Sequence, residues 1–401
     1  MQSTMKWASS VARSPNASEA VARACKEVRK SLGADPVDLA LFFISPHFRD
    51  AFTHVHGWLQ ACLPARAVAG CTGHGVIGGG VEVEGFPAFA LMAARMPAVE
   101  ISVHYTHTLD MPDADAAPEV WRNWIGLHDE VPRHFIVFAD PFVARVDALL
   151  TGLDYAYPGT AKVGGLASGG NKQGEQALFD GPRVYNSGAL LVAMGGALEV
   201  DTLVAQGCRP IGRALTVTKC ENNVLLEVDG QPPLRYLAEL VEHSSDEDKA
   251  LMRRSLLLGV QADEPDARPD ADYLVRNLVG IDYKRGILAA GATLRPGQVV
   301  RFHLRDRNSA AGELQEMLAH YRARAPEPVE GALMFSCVGR GQALYSQAGH
   351  DSRLLGEQLG EIPLAGFFAN GEIGPVAGAT HIHGYTSAFA FFRGTEARPE
   401  T

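Results

Sequence analysis

A hydrophobic strand running into a glycine-rich turn occurs near the start of this chain and again near its end, and this recurrence constrains the fold most. Gly70-Cys71-Thr72-Gly73-His74-Gly75-Val76-Ile77-Gly78 follows Ala67-Val68-Ala69, and Gly366-Phe367-Phe368-Ala369-Asn370-Gly371-Glu372-Ile373-Gly374 follows Pro363-Leu364-Ala365. A weaker version, Gly164-Gly165-Leu166-Ala167-Ser168-Gly169-Gly170, lies between them. Glycines in such turns permit positive φ and let a ligand or a second backbone come close. The repetition predicts a duplicated unit built around a shared pocket.

The repeat extends to both sides. Leu39 to Ile44, Phe135 to Phe138 and Ala332 to Phe335 are apolar runs ahead of the three turns. Phe89 to Ala93, Ala189 to Ala193 and Phe389 to Phe392 are apolar runs after them. Runs of this length read as buried strands. The unit is therefore strand, helical connection, strand with glycine turn, strand, in three copies of which the middle one is degenerate. The fold class expected is α/β, with two related modules of mixed β-sheet covered by helices and internal strand–glycine-turn repeats.

The 401 residues are 46% hydrophobic and 20% charged, enough apolar content for a sizeable core. No apolar stretch approaches the ~20 residues of a membrane helix, and the first ten residues lack a secretory apolar region. The expected setting is the cytoplasm, without membrane insertion. A net charge of −10 with no basic block disfavours nucleic acid as a partner. Cys25, Cys62, Cys71, Cys208, Cys220 and Cys337 form no CxxC pair, so neither a zinc ribbon nor a disulfide scaffold is indicated.

Local signals place several elements. Asn16-Ala17-Ser18-Glu19 has the form of a capping box, with Val21, Cys25, Val28 and Leu32 on one face of the helix and Gly33 at its stop. Ser309 is the expected cap of a second helix carrying Leu314, Met317, Leu318 and Tyr321. Leu215 to Val228 reads as strand-rich and ends at Asp229-Gly230, ahead of a helix from Leu234 to Val241. Ser244 to Asp270, charged and proline-bearing, reads as a loop, and Glu396 to Thr401 as a frayed tail.

Several motifs, in order, resemble FIST domains. They are Thr218-Lys219-Cys220-Glu221-Asn222-Asn223-Val224 with Asp229-Gly230, then Tyr273 to Asp282, then Phe302-His303-Leu304-Arg305-Asp306. Phe335-Ser336-Cys337-Val338-Gly339-Arg340-Gly341 and Gly366 to Gly374 complete the set. The resemblance covers nearly the whole chain. It implies an N-terminal extension with a helix over 1–35, an N-type module over 36–230, a C-type module over 231–395 and a tail over 396–401. It further implies an intracellular sensory or signalling module that binds small ligands of the amino-acid kind. No output domain is visible, so a separate signalling protein is the expected partner, and no cofactor is expected.

The chemistry of the expected pocket follows from strand ends. Ligands of α/β sheets sit beyond the carboxyl ends of parallel strands. Cys337-Val338-Gly339-Arg340-Gly341 follows such a strand, and Arg340 offers a planar fork for a carboxylate or phosphate. Asn370 and Glu372 flank Gly371 and could receive an ammonium group. The alternative is a structural ion pair between Arg340 and Glu372. The candidate ligand set is Cys337, Gly339, Arg340, Asn370, Gly371 and Glu372, joined by Gly70, Cys71 and Gly73 of the first turn.

Two other functions stay open. Cys337 could act as a hydrolytic nucleophile or redox sensor with His350, His381 or His383 as base, although unpaired cysteines are more often small core hydrophobes. A protein-interaction scaffold is the third. A metal site at His54 and His56, or His381 and His383, rests only on spacing that puts each pair on one strand face. Gly70 to Gly75 lacks the Lys-Ser/Thr of a phosphate loop. Gly73 to Gly78 matches GxGxxG, but Glu82 and Glu84 come too early to be its ribose-binding acid.

Overall fold

The computed structural model describes residues 5–113, 115–128, 131–142, 144–262, 273–325 and 328–395. These divide into two compact units, one of residues 1–205, 314–375 and 380–401 and one of residues 206–313 and 376–379. The fold is mixed α/β.

The larger unit is built from one repeat used three times. The first copy runs β1 (Lys6–Arg13), α1 (Ala17–Leu32), β2 (Val37–Ile44), α2 (Phe52–Cys62), β3 (Ala65–Thr72), β4 (Gly75–Gly78), β5 (Val81–Glu84) and β6 (Ala88–Arg95). The second runs β7 (Val99–Thr106), α3 (Pro118–Ile125), β8 (His134–Ala139), α4 (Val146–Ala156), β9 (Lys162–Leu166), β10 (Leu178–Asp180), β11 (Arg183–Tyr185) and β12 (Ala189–Gly196). The third opens with β13 (Leu198–Ala205) and is interrupted by the smaller unit. That unit comprises β14 (Arg209–Glu221), β15 (Val224–Val228), α5 (Pro233–His243), α6 (Asp246–Ser255), β16 (Leu256–Gln261), β17 (Tyr273–Asp282), β18 (Ile287–Ala290) and β19 (Val299–Leu304). The third copy resumes with α7 (Arg307–Arg324), β20 (Gly331–Cys337), α8 (Gly341–Tyr345), α9 (His350–Leu359), β21 (Leu364–Ala369), β22 (Glu372–Val376), β23 (Ala379–His383) and β24 (Ser387–Gly394).

The pairing is the same in each copy. β2 with β3, β8 with β9 and β20 with β21 are parallel, joined by helical crossovers as parallel pairs require. β6, β12 and β24 lie antiparallel on the far side of β2, β8 and β20. The middle copy is therefore as complete as the others. β1 and α1 open the first copy as β7 and α3 open the second.

The hairpin after each glycine turn leaves its own sheet. β4 pairs with β21 of the third copy, β10 with β3 of the first, and β22 with β9 of the second. In all three exchanges the same register recurs: Ile77 faces Gly366, Phe179 faces Gly70, and Ile373 faces Gly164. The three six-stranded sheets are thus cyclically interlocked.

Three glycines make the parallel pairs possible. A Cβ on Gly70, Gly164 or Gly366 would lie 2.1, 1.9 or 1.8 Å from the carbonyl oxygen of Phe42, Val137 or Met334 on the neighbouring strand. The close approach is by backbone, so only glycine fits.

Each sheet buries one face under helices. Ala40, Phe42 and Ile44 pack with Val21, Cys25 and Val28 of α1 and Val55 and Leu59 of α2. The opposite faces meet one another through Phe43, Phe138 and Phe335, which occupy the same position of the three repeats. The Phe138 ring centroid lies 5.7 Å from Phe43 and 6.3 Å from Phe335, and Phe367 stacks on Phe43 at 5.2 Å. With both faces covered, these strands read as continuous apolar runs rather than alternating ones.

The smaller unit is a closed six-stranded antiparallel barrel, ordered β14-β15-β18-β17-β16-β19. Leu258, Val300, Phe302 and Leu304 lie in its core. Two local expectations change here. Residues 256–261, expected as loop, form β16, and residues 246–255, also expected as loop, form α6. Ser245 caps it by accepting the Asp248 N–H at 3.1 Å, and Asp246, Glu247 and Asp248 in its first turn complement the helix dipole. Residues 263–270 of the expected loop and the tail from Glu396 lie outside the described residues. The cap of α7 is Asp306, not Ser309: its carboxylate accepts the N–H groups of Asn308 and Ser309, each at 2.9 Å.

At α1 the capping box is relayed. Asn16 accepts the Glu19 N–H at 3.2 Å, while the Glu19 carboxylate meets Ser14 Oγ at 2.6 Å instead of the Asn16 N–H. Ser14 Oγ in turn accepts that N–H at 3.1 Å.

Candidate functional site

The three glycine turns converge. His74, Ser168 and Asn370 hold the same position in the three repeats, two residues beyond Thr72, Leu166 and Phe368. The Ser168 N–H donates to Thr72 O at 3.1 Å, and the Asn370 N–H donates to Leu166 O at 3.1 Å. The third link is bridged: the His74 N–H donates to Ser168 Oγ at 2.7 Å, and that hydroxyl donates onward to Phe368 O. A ring of hydrogen bonds therefore closes the end of the three-repeat body. Ser168 is buried, whereas His74 and Asn370 are exposed on the ring.

A second polar layer follows from the strand ends of β2, β8 and β20. Ser45, Asp140 and Cys337 are equivalent, and their N–H groups donate to the carbonyls of Ala88, Gly188 and Thr386 at 3.1, 2.9 and 2.9 Å. Cys337 is 9% exposed. Beside it, the buried Glu372 accepts the Thr386 N–H at 3.1 Å through Oε2. Glu372 thus sits one residue pair away from Cys337, on a strand that the third repeat contributes to the second sheet.

Arg340 is fully buried and pairs with Asp351. Its Nε donates to Asp351 Oδ2 at 2.8 Å and its Nη2 to Oδ1 at 3.3 Å. Nη2 also donates to the Tyr345 hydroxyl at 2.7 Å, and Nη1 to Tyr385 O at 3.2 Å. Asp351 further accepts from Ser387 Oγ at 2.7 Å and meets His350 Nδ1 at 3.1 Å. Burial pushes the Asp351 carboxyl up. The Arg340 guanidinium, with the hydrogen bonds from His350 and Ser387, more than offsets that and holds it well below the usual range. The fork that the sequence offers to a ligand instead ties the loop after β20 to α9.

The same loop is clipped from outside by the hairpin of the first repeat. Glu82 accepts the Ser352 N–H at 2.8 Å, and Glu84 accepts the Gln342 N–H at 3.0 Å. A Cβ on Gly341 would meet the Glu84 carboxylate at 2.4 Å. Burial, reinforced by the nearby Asp351 charge, raises the Glu82 carboxyl to about 7. Burial also raises that of Glu84, moderated by the Gln342 N–H and by His74.

Four of the remaining candidates are interior. Gly70 and Cys71 belong to β3, and burial pushes the Cys71 thiol well above its ordinary value, so it carries no thiolate. Gly73 packs against Phe367, where a Cβ would lie 2.7 Å from that side chain, and a Cβ on Gly371 would lie 2.9 Å from the Leu166 side chain. Gly339 is partly exposed at the start of the Arg340 loop. The structure thus brings Cys337, Glu372, Asn370 and Gly371 to one end of the body and commits Arg340 internally. His54 and His56 lie on α2, a helix, where i,i+2 spacing separates them. His381 and His383 do share β23, with ring centroids 6.2 Å apart. No three His, Cys, Asp or Glu among the described residues are grouped to hold a metal. A cavity of about 760 Å³ on the same unit is lined by Trp7, Ser9, Gly79, Gly80, Arg353 and Glu357, and by none of the expected site residues.

Ser168, Asp351, Glu82 and Glu84 are missing from the sequence-derived set. Ser168 could have been found by aligning the three turns. Asp351 and Glu82 have no such signal, because their roles come from elements distant in sequence.

Fold and site define a class: a triplicated α/β body with exchanged hairpins, a barrel inserted in its third repeat and a polar ring closing one end. The FIST N domain matches residues 38–231 and the FIST C domain residues 233–375. The chain belongs to the FIST family, which is a sensory family. The join between the two matched domains falls between β15 and α5, within the barrel unit, so neither matched domain coincides with a compact unit.

The chain is 34% identical over 385 residues to the Mycobacterium tuberculosis protein Rv0628c, covering 95% of this chain and 98% of that one. It is 33% identical over 388 residues to the Mycobacterium bovis protein Mb0898c, covering 95% and 97%. A cyanuric acid hydrolase structure from A. caulinodans aligns over 98% of this chain and 99% of its own at 10% identity, with a TM-score of 0.33. A second cyanuric acid hydrolase structure aligns over 97% and 100% at 10% identity with a TM-score of 0.31. Both scores are below the level that indicates a shared fold. No helix among the described residues is long and apolar enough to cross a membrane.

Proposed function

We propose that this chain is a sensor that binds a small polar ligand of the amino-acid kind at the ring end of its three-repeat body. It would act in the cytoplasm and report occupancy to a separate signalling protein. The observation that carries this reading is the convergence of the three turns, which leaves the His74 and Asn370 side chains exposed at equivalent positions around one ring. An imidazole and a carboxamide offer donors and acceptors to both ends of a zwitterion. Cys337 and Glu372 stand behind them, and Gly339 leaves its backbone approachable. Arg340 serves the site indirectly, by fixing the loop that carries Gly339.

Thermal-shift titration with a panel of free amino acids tests this reading. A concentration-dependent rise in Tm for one member, lost in His74→Ala and Asn370→Ala, supports it. A panel without effect on the folded protein, or a rise untouched by either substitution, counts against it.

A further inference from the structure

The barrel unit carries an open strand edge. β16 pairs with β17 only as far as Asn277, through Leu257, while β18 pairs with it from Leu278 to Asp282. Among the described residues, 278–282 therefore have a strand on one side only. A register shift between Leu278 and Gly280 coincides with the end of the β16 ladder, and before Leu256 the chain is already helical in α6. Val279, Ile281 and Tyr283 follow at alternate positions along this overhang and its turn, and they are 61%, 44% and 81% exposed. Ile281 stands opposite Leu288, a barrel-core residue, and directly opposed residues share one face of a sheet. The core-facing side of the strand is thus uncovered here. Strand edges in water are ordinarily guarded by charge. β14 has that guard: beyond Val217 it pairs with β15 alone, and Thr218, Lys219 and Glu221 are exposed there. β17 has no polar side chain from Leu278 to Ile281.

The charge around the edge selects what can add to it. Arg276, Lys284 and Arg285 stand along the strand and its turn against the single acid Asp282, in a chain whose overall charge is −10. Asp282 Oδ1 accepts the N–H groups of Lys284 and Arg285 at 2.9 and 3.1 Å, so this acid holds the turn while both cationic residues are exposed. A second copy paired antiparallel about Gly280 would set its Lys284 against Arg276, like charge against like. We propose that residues 278–282 are a docking edge that takes an extended segment of another protein as an added antiparallel strand. The segment carries acidic residues first, which meet Lys284 and Arg285, and then alternating β-branched residues, which cover Val279 and Ile281. Main-chain hydrogen bonds to the open edge hold it, and Tyr283 supplies an aromatic anchor. Docking at this edge does not depend on ligand binding at the ring.

The test is selection of random displayed peptides on the full chain, with counter-selection on the Val279→Asp, Ile281→Asp variant. The enriched peptides should lead with Asp or Glu and continue with alternating Val, Ile or Thr. A fluorescein-labelled synthetic peptide of that pattern, followed by anisotropy, should bind the Lys284→Glu, Arg285→Glu variant about tenfold more weakly than wild type. Both turn residues are exposed, so this second variant keeps the fold and replaces the first as counter-target if the first does not fold. Methylating alternate amide nitrogens of the peptide should abolish binding for one of the two sets and spare it for the other, because only one set faces β17. No peptide that prefers wild type, enriched peptides without leading acids, or binding that survives methylation of either set would overturn the proposal. A dimer of the purified chain that is lost in the Val279→Asp, Ile281→Asp variant would also overturn it, by assigning the edge to a second copy.

Discussion

The Glu82 carboxylate accepts the Ser352 N–H at 2.8 Å, joining a hairpin of the first repeat to the first turn of α9 in the third. The two residues are 270 positions apart, and their bond is one of the contacts through which the exchanged hairpin holds the Arg340 loop. A second exchange is latched in a related way, with Asp154 of α4 accepting from Thr380 N and Thr380 Oγ1 at 2.6 and 2.8 Å.

The Glu82 contact makes stability depend on pH. The carboxyl titrates near 7 in the folded chain against an ordinary value of 4.5. Between those values the folded state keeps a proton that the unfolded state has released, so stability falls as pH rises through that interval and the loss is complete above it. The gap corresponds to about 3 kcal/mol. Glu82→Gln keeps an acceptor for the Ser352 N–H and should flatten the pH dependence of the urea midpoint between pH 4.5 and 7, leaving the variant the more stable at pH 8. A wild-type midpoint that does not fall over that interval contradicts this.

Arg340 and Asp351 should behave as one buried unit. Removing either alone leaves an uncompensated buried charge and costs about 3–5 kcal/mol. Arg340→Met and Asp351→Leu together should recover much of that loss in urea melts, whereas an additive double variant would show that the pair is not coupled.

The glycine positions separate into two kinds. Gly70→Ala, Gly164→Ala and Gly366→Ala each drive a Cβ into a neighbouring carbonyl and should cost about 3 kcal/mol or more, or prevent folding. Gly57→Ala and Gly356→Ala lie on helices with open space and should stabilise by about 0.5–1 kcal/mol. Circular dichroism melts of the five variants check the contrast.

Ser168 completes the ring with its side chain. Ser168→Ala leaves the His74 N–H and the Phe368 carbonyl without their bridge, at a cost of about 1–3 kcal/mol. Hydrogen exchange at the His74 amide should accelerate more than at the Asn370 amide, whose partner is the Leu166 carbonyl.

The repeated strands were legible because each is buried on both faces and so writes itself as an uninterrupted apolar run. The α1 cap was legible because it is local. The hairpin exchange was not: Ile77 opposite Gly366 is a pairing that nothing near either residue encodes. The charge of residues 246–255 hid a helix whose acidic first turn and basic last turn suit its dipole. Arg340 was correctly seen at a strand end, but its carboxylate partner depends on how α9 folds back. Glu82 stood out only as an acid too early for a ribose, and its role depends on the third repeat.

The most direct test of ligand binding at the ring end is mass spectrometry of the protein purified from its own cells, first native and then denatured. The account predicts a small polar molecule released from wild type and absent from the His74→Ala, Asn370→Ala double variant. A wild-type native mass equal to that of the bare chain, or a guest retained by the double variant, would contradict it.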